Sequence, residues 1–161
     1  MNFSRENTKL RTLVVKAVNK TGPPRYGIVG NDLTATKFNT FLSMECPGYD
    51  YCYIQLKQVL MDAGLASGTT NNTLLFPFMV KANIGQIVMS NTNSFDNFLG
   101  SFYGKAVDNK MALNEQPIIE LNGIPHGHYE FEITENDGPV DPTHLNIDDV
   151  TLVFSVYYCK R

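Results

Sequence analysis

Residues 129–134 read Tyr-Glu-Phe-Glu-Ile-Thr, the most regular alternation of apolar and polar side chains in the chain. Successive side chains of a β-strand point to opposite faces of a sheet. A period of two therefore places Tyr129, Phe131 and Ile133 on a buried face and the residues between them outside. The segment predicts a strand that covers a core with one face only.

Similar apolar segments follow one another along the chain, separated by turns rich in Gly, Pro and Asn. In residues 11–18, Leu13, Val15 and Ala17 share one face. The other strand-like segments are residues 26–29, 37–44, 74–80, 86–90, 98–107, 117–121 and 150–159. Closely spaced strands without convincing helices between them are typical of sandwiches and barrels. The sequence thus predicts an all-β fold, an antiparallel β-sandwich of the single jelly-roll type with about eight or nine strands.

Residues 51–61 (YCYIQLKQVLM) fit either of two structures. A helix would have Asp50 as its N-cap and Gly64 just beyond its last turn. A strand would have one face made by Cys52, Ile54, Leu56 and Gln58. The aromatic and β-branched residues at the start of the segment favour the strand.

Proline and glycine add two local expectations. Pro77 removes one backbone donor from residues 74–80, which predicts an edge strand or a strand broken by a bulge. Gly100 and Gly104 lie in an aromatic, strand-like stretch, where glycine marks a bulge more often than a helix contact.

The composition suits a single domain over residues 1–161 with a surface covered by partners. Charged residues make up only 18%, and polarity comes instead from Ser, Thr and sixteen Asn. Protein interfaces are depleted of charge in the same way. Residues 1–9 are expected to form a flexible N-terminal arm that becomes ordered on assembly.

The charges are unevenly spread along the chain. Residues 1–25 contain six basic side chains and one acid, whereas residues 111–159 contain nine acids and no Lys or Arg. These regions either mix in space on the folded domain or supply complementary contacts between copies. The scattered basic residues and the net charge of −3 argue against nucleic acid as a partner.

The three cysteines, Cys46, Cys52 and Cys159, have no metal-ligand spacing. Cys52 and Cys159 lie in apolar runs, so we expect buried free thiols and a reducing compartment. The polar start of the sequence predicts no signal peptide. No apolar run approaches the ~20 residues that cross a bilayer, so we expect no membrane span.

The best candidate for a metal site lies in the sequence PHGHYEFE. His126, His128 and Glu132 share strand parity, and two imidazoles with a carboxylate suit a divalent transition metal. The spacing resembles the first motif of cupins, which are jelly rolls. However, Glu120 and Pro139 stand where that motif has glycine, and no later segment supplies a fourth ligand. We therefore expect no metal, no other cofactor and no catalytic residue.

Other chemical signals are weaker. The chain contains no nucleophile elbow, Walker sequence or glycine-rich phosphate loop. The acidic residues with oxygen ligands for a cation are Asp141, Asp148 and Asp149, which we interpret as a solvated turn. The loop aromatics suited to stacking on a sugar or a base are Tyr26, Tyr49 and Phe95.

Four segments carry a resemblance to a known family. They are YCYIQLKQVLM at 51–61, FMVKANIGQIVMSN at 78–91, HYEFEIT at 128–134 after a Pro-x-Gly turn, and VTLVFSVYYC at 150–159. Over roughly residues 10–160, the chain resembles the single jelly-roll structural proteins of icosahedral double-stranded DNA viruses, which serve as pentons or minor capsid components. The resemblance implies a homo-oligomer, pentameric or trimeric, in the virion, with no catalytic residues to transfer.

We therefore expect a virion structural protein that is made in the cytoplasm or nucleus of a host cell. It would act by self-assembly and by contact with neighbouring capsid proteins. Two alternatives stay open. One is a carbohydrate- or receptor-binding head of a spike or fibre, and the other is a cupin-like metal-binding enzyme.

Overall fold

The computed structural model of the chain describes residues 7–20, 30–64, 76–92, 95–105, 110–136, 138–142 and 144–161. Its strands are β1 (Thr8–Val18), β2 (Asn31–Asp32), β3 (Lys37–Ser43), β4 (Tyr51–Gly64), β5 (Phe76–Ala82), β6 (Gln86–Ile87), β7 (Phe98–Lys105), β8 (Lys110–Ala112), β9 (Ile119–Leu121), β10 (His126–Glu135) and β11 (Asn146–Cys159). In these ranges, no helix has the length and apolar character needed to cross a membrane. The strand-like residues 26–29 lie outside the described part of the chain.

The strands form two sheets. The six-stranded sheet has the order β2-β1-β11-β4-β9-β6, and the five-stranded sheet has the order β3-β10-β5-β7-β8. Apart from the short parallel pair of β1 and β2, the strand pairs are antiparallel. Their apolar faces pack against each other around one core, so the predicted all-β sandwich is confirmed.

Alternation of side chains decides which face of each strand is buried. In β3, Phe38, Thr40 and Leu42 are buried and the residues between them are exposed. In β10, Phe131 and Ile133 are buried as predicted. Thr134 departs from the prediction, because it is also buried although it points away from the core; its hydroxyl donates to the Asn136 carbonyl at 3.3 Å.

Phenylalanine rings join the two sheets. The ring of Phe131 stacks on Phe38 within the five-stranded sheet, with centroids 5.3 Å apart. On its other side it meets Phe154 of the six-stranded sheet at 6.5 Å. A second stacked pair, Phe78 and Phe102, lies further along the five-stranded sheet at 5.4 Å. These fully buried rings fill the space between the sheets.

Residues 51–61 are a strand, as their aromatic and β-branched start predicted. Apart from one residue, β4 pairs with β11 along its whole length, and this pairing excludes a helix. The register shifts between Leu56 and Gln58, which leaves Lys57 as an extra residue in a bulge. Beyond this bulge the parity is reversed, so Val59 is buried and Gln58 is exposed. The prediction that Gln58 shares the inner face of Cys52 is therefore wrong.

Pro77 lies in a central strand and not at an edge, because β5 has β10 on one side and β7 on the other. The pairing of β10 with β5 ends at Phe78, the residue that follows Pro77, so Pro77 itself has no partner in β10. The missing N–H therefore falls outside that ladder, where a sheet tolerates proline. The expectation of an edge strand or a bulge at Pro77 is therefore wrong. A bulge does exist at Leu99 of the neighbouring β7, beside Gly100, where glycine had indicated one.

The described residues contain eleven strands, against the eight or nine expected. The strands that the sequence did not indicate are β2 and β8, which have two and three residues and show no alternation. Thr8 and Lys9 belong to β1 and pair with β11, so the expected arm does not include them. Residues 1–6 lie outside the described residues.

Gln116, in the segment before β9, forms hydrogen bonds with both sheets. Its side-chain oxygen accepts from the backbone N–H of Ser101 in β7 at 2.8 Å. Its backbone carbonyl accepts from the Gln55 side chain in β4 at 2.9 Å. Gly100 makes room for this contact, because a Cβ there would lie 2.8 Å from both the Gln116 oxygen and Leu56 Cδ2.

Substitution of Gly100 tests this close packing. We expect Gly100→Ala to lower the free energy of unfolding by about 1–3 kcal/mol, because the added methyl must displace Leu56 or Gln116. The matched control is Gly138→Ala, since no atom lies within 4 Å of a Cβ built there. The control should change stability by less than about 0.5 kcal/mol. Equal effects of the two substitutions in urea unfolding would contradict the proposed crowding.

Candidate functional site

The outer face of β1, β11 and β4 carries few charges. We call it the β1–β11–β4 face, and its residues are Thr8, Leu10, Thr12, Val14, Lys16, Tyr51, Tyr53, Gln55, Lys57, Gln58, Leu60, Thr151, Val153, Ser155 and Tyr157. Lys16 and Lys57 are its two charged members, and Asp149 of β11 continues the same side of the sheet at one end. Leu10 and Val14 are 61% and 58% exposed, although both are aliphatic. A folded protein in water gains nothing from exposing such side chains on a regular sheet.

Strand register places the apolar members of this face side by side. Leu10 is opposite Tyr157 in the antiparallel pair of β1 and β11, and Tyr157 is opposite Tyr53 in the pair of β11 and β4. Val14 is opposite Val153 in a second row. Directly opposed side chains lie about 4.5–5.5 Å apart at Cβ. The face therefore has two apolar rows of tyrosine and aliphatic groups, separated by an uncharged polar row of Thr12, Ser155 and Gln55.

The outer face of the five-stranded sheet has a different character. Phe41 of β3 is 51% exposed. Its ring centroid lies 5.3 Å from that of His126 and 5.1 Å from that of His128, both in edge-on geometry. We call these three residues the aromatic patch. The Nδ1 atom of His126 also lies 3.6 Å from Glu45 Oε1.

A small depression lies beside this patch. It has a volume of about 70 Å³ and is lined by Lys81, Ala82, Asn83, Asn97, Glu130 and Glu132. We call it the polar depression. The side-chain oxygen of Asn83 accepts the backbone N–H of Glu130 at 2.8 Å, which fixes the orientation of the amide. Asn97 holds a left-handed backbone with φ of 63°, which Asn tolerates better than most residues.

The three candidates for a metal site do not converge. Phe41 packs against both imidazoles. Glu132 lies four residues beyond His128, roughly 13 Å along an extended strand, and its carboxylate is 3.9 Å from Lys37. Ligands of one metal must lie within about 2–2.3 Å of it. In the described ranges, no group of three or more His, Cys, Asp or Glu is arranged to hold a metal.

The acidic turn residues are also separated. Asp141 Oδ2 lies 3.8 Å from His144 Nε2, whereas Asp148 and Asp149 belong to β11, where Asp149 is opposite Val18 of β1. His144 in turn has its Nδ1 atom 2.6 Å from Glu135 Oε2, and its ring stacks on Phe76 at 3.8 Å. These contacts hold the end of the connection between β10 and β11 against the five-stranded sheet.

The charge asymmetry of the sequence is partly balanced within the fold. Lys20 forms an ion pair with Asp32 at 3.0 Å. Lys37 lies 3.9 Å from both Glu130 and Glu132. Neither pair joins the basic residues 1–25 to the acidic residues 111–159, so both interpretations of the asymmetry stay open.

The loop aromatics selected from the sequence have packing roles where they are described. Tyr49 meets Tyr158 at 6.2 Å, and the Lys160 amine lies 5.1 Å from its ring. Phe95 meets Phe98 at 5.5 Å. Tyr26 lies outside the described residues.

Phe41, Leu10 and Val14 were not selected from the sequence as functional candidates. Each stands at an outward position of its strand. Val14 lies between Leu13 and Val15, which were predicted to share the other face. In each case an apolar residue occupies a position where the alternation of the strand places the side chain in solvent. Such residues could have been found from the sequence.

All three cysteines are free and buried, as predicted for Cys52 and Cys159. Burial raises the pKa of the Cys52 thiol to about 12, and the nearby Cys159 thiol acts in the same direction. The thiolate is the reactive form of cysteine, so Cys52 is protected from chemistry at neutral pH.

No protein-family model matches the chain, and no curated protein sequence matches it.

Cys52 also makes a specific contribution to the pH dependence of stability. Its pKa is higher in the folded chain than its ordinary value of 9.0. The resulting stabilisation is complete below about pH 9 and is lost as the pH rises towards about 12. We expect the free energy of unfolding to fall in this range, by up to about 1.4 kcal/mol per pH unit from this thiol.

Denaturant unfolding between about pH 8 and about pH 11 measures the effect. Cys52→Ala should be less stable at pH 8 but should lose less stability as the pH rises. Val59→Ala, which shortens a buried side chain of the same strand without removing a titrating group, is the control. If Cys52→Ala kept the pH dependence of the Val59→Ala protein, the assignment to Cys52 would be wrong.

Proposed function

We propose that this chain is a virion structural protein, a penton or minor capsid component, that acts by assembling with copies of itself and with neighbouring capsid proteins. A pentameric or trimeric ring in the virion is the arrangement that the resemblance implies. The protein would be made in the cytoplasm or nucleus of the host cell. The proposal includes no catalytic step.

The low charge of the β1–β11–β4 face is the observation that carries this proposal. Interfaces between proteins are depleted of charge and enriched in tyrosine at their centre. The row Leu10, Tyr157 and Tyr53 has this composition across three adjacent strands. Burying Leu10 and Val14 against a second molecule would remove their aliphatic surface from water, and about 25 cal/mol is gained for each Å².

The order of the strands supports a jelly roll within the sandwich. Eight of the strands pair in a nested pattern, namely β1, β3, β4, β5, β7, β9, β10 and β11. Of these eight, the first pairs with the last, the second with the seventh, the third with the sixth and the fourth with the fifth. Rolling one long antiparallel hairpin into two facing sheets produces this nesting. Single jelly rolls of this kind are common in viral capsids.

The metal-site candidates and Cys52 have structural contacts within the fold. His126 and His128 pack against Phe41, and Glu132 lies near Lys37. Cys52 is buried with a raised pKa, which suits a structural thiol and not a nucleophile. Each of these side chains thus has a structural partner that accounts for its position.

Mass measurement after size-exclusion chromatography tests the proposal. We expect the full chain to form a discrete oligomer at high concentration. Leu10→Glu combined with Val14→Glu should weaken association at least about tenfold, because an interface would have to bury two unpaired carboxylates. The matched control is Tyr103→Glu, an exposed apolar position on the outer face of the other sheet.

Two results would count against the proposal. A strict monomer at high concentration that is also not incorporated into any particle would exclude assembly. An oligomer that survives the double substitution unchanged but dissociates with Tyr103→Glu would place the contact on the wrong face. Circular dichroism of each variant verifies that the sandwich is still folded.

A further inference from the structure

We infer that the outer face of the five-stranded sheet carries a binding site for a neutral glycan, formed by the aromatic patch and the polar depression. The inference goes beyond assembly, because this face lies on the opposite side of the sandwich from the β1–β11–β4 face. A copy docked on one face would leave the other accessible.

The aromatic patch offers an apolar surface at a fixed position. Phe41 belongs to a regular strand, and the edge-on contacts with His126 and His128 support its ring from the neighbouring strand. Half of the Phe41 surface nevertheless remains exposed. A pyranose ring has C–H groups that pack well on an aromatic ring, so Phe41 can serve as a platform without being ordered first.

The polar depression offers planar hydrogen-bonding groups. Because the Asn83 oxygen already accepts from the Glu130 backbone, its amide nitrogen is the end that can donate to a ligand. Glu130 and Glu132 are carboxylate acceptors whose ion pairs with Lys37 are long, at 3.9 Å. A carboxylate accepts several hydrogen bonds at once, so these groups can also accept from sugar hydroxyls.

The spacing of the two parts fits a sugar. Phe41 is directly opposite His128 in the pair of β3 and β10, and Glu130 is the next residue along the same face of β10. Diagonal neighbours of this kind lie about 7–8 Å apart. This is comparable to the width of one pyranose ring. A ring on Phe41 would therefore direct its hydroxyls towards Glu130 and Asn83.

The charge of the depression favours a neutral ligand. Its volume of about 70 Å³ leaves room for ordered water or for a polar substituent of a sugar. Two carboxylates line it together with Lys81, and Lys37 lies 3.9 Å from both carboxylates. The charges therefore balance, and the depression has no net charge that would attract the carboxylate of a sialic acid.

Titration of isotope-labelled protein with simple sugars, followed by nuclear magnetic resonance, tests the inference. The probes are methyl glycosides of glucose, galactose, mannose and N-acetylglucosamine, with a sialic acid glycoside as the acidic comparison. We expect saturable, millimolar binding of at least one neutral probe, with shifts concentrated at Phe41, Asn83 and Glu130. The acidic probe should bind more weakly.

Variants separate a sugar platform from a general surface effect. Phe41→Ala and Asn83→Ala should each weaken binding about tenfold or more, whereas Phe41→Trp should retain it. The matched control is Tyr103→Ala, which removes another exposed aromatic of the same sheet. This control should bind the neutral probe as the natural protein does. The amide spectrum of each variant reports whether it is folded.

Three results would overturn the inference. They are the lack of saturable binding of every neutral probe, binding of the acidic probe alone, and equal affinity of the natural protein and Phe41→Ala. None of these results bears on the oligomer, which is measured separately with substitutions on the other face.

Discussion

Contact between Phe131 and Phe154 is the interaction on which the rest of the structure depends. The two rings belong to different sheets and lie 6.5 Å apart in a fully buried core. Removing a buried Phe side chain typically costs about 3–5 kcal/mol, a large part of the stability of a domain of this size. Because side chains alternate along each strand, fixing these two residues inward also determines which of their neighbours face solvent.

The outer faces follow from that constraint, and they differ from each other. The six-stranded sheet presents tyrosine, threonine and aliphatic groups. The five-stranded sheet presents a polar surface with the exposed rings of Phe41, beside its histidines, and of Tyr103. Neither arrangement is needed to fill the core. Exposed apolar groups of this kind are usually retained for contact with other molecules. The difference between the faces allows one of them to serve assembly while the other remains open to a ligand.

Much of the fold could be predicted from the sequence, because the strongest strands show their period directly. The alternation of residues 129–134 indicated β10, and the aromatic start of residues 51–61 indicated β4. What could not be predicted depends on pairing. The bulge at Lys57 reverses the face of Gln58, and the end of β10 makes Pro77 acceptable in a central strand. The candidate sites were mostly missed, since Leu10, Val14 and Phe41 were not assessed by the face on which they lie.

The central position of β11 in the six-stranded sheet affects how the chain reaches this structure. β11 is the last strand in the sequence, yet it lies between β1 and β4 and pairs with both over most of its length. The six-stranded sheet cannot form until β11 has left the ribosome. More than a hundred residues are synthesised after β1 before its partner strand β11 exists. Pairing between such distant segments makes folding slow and leaves strand edges open in the meantime. The newly made chain therefore has a period in which chaperones, or premature contact between chains, compete with its own last strand.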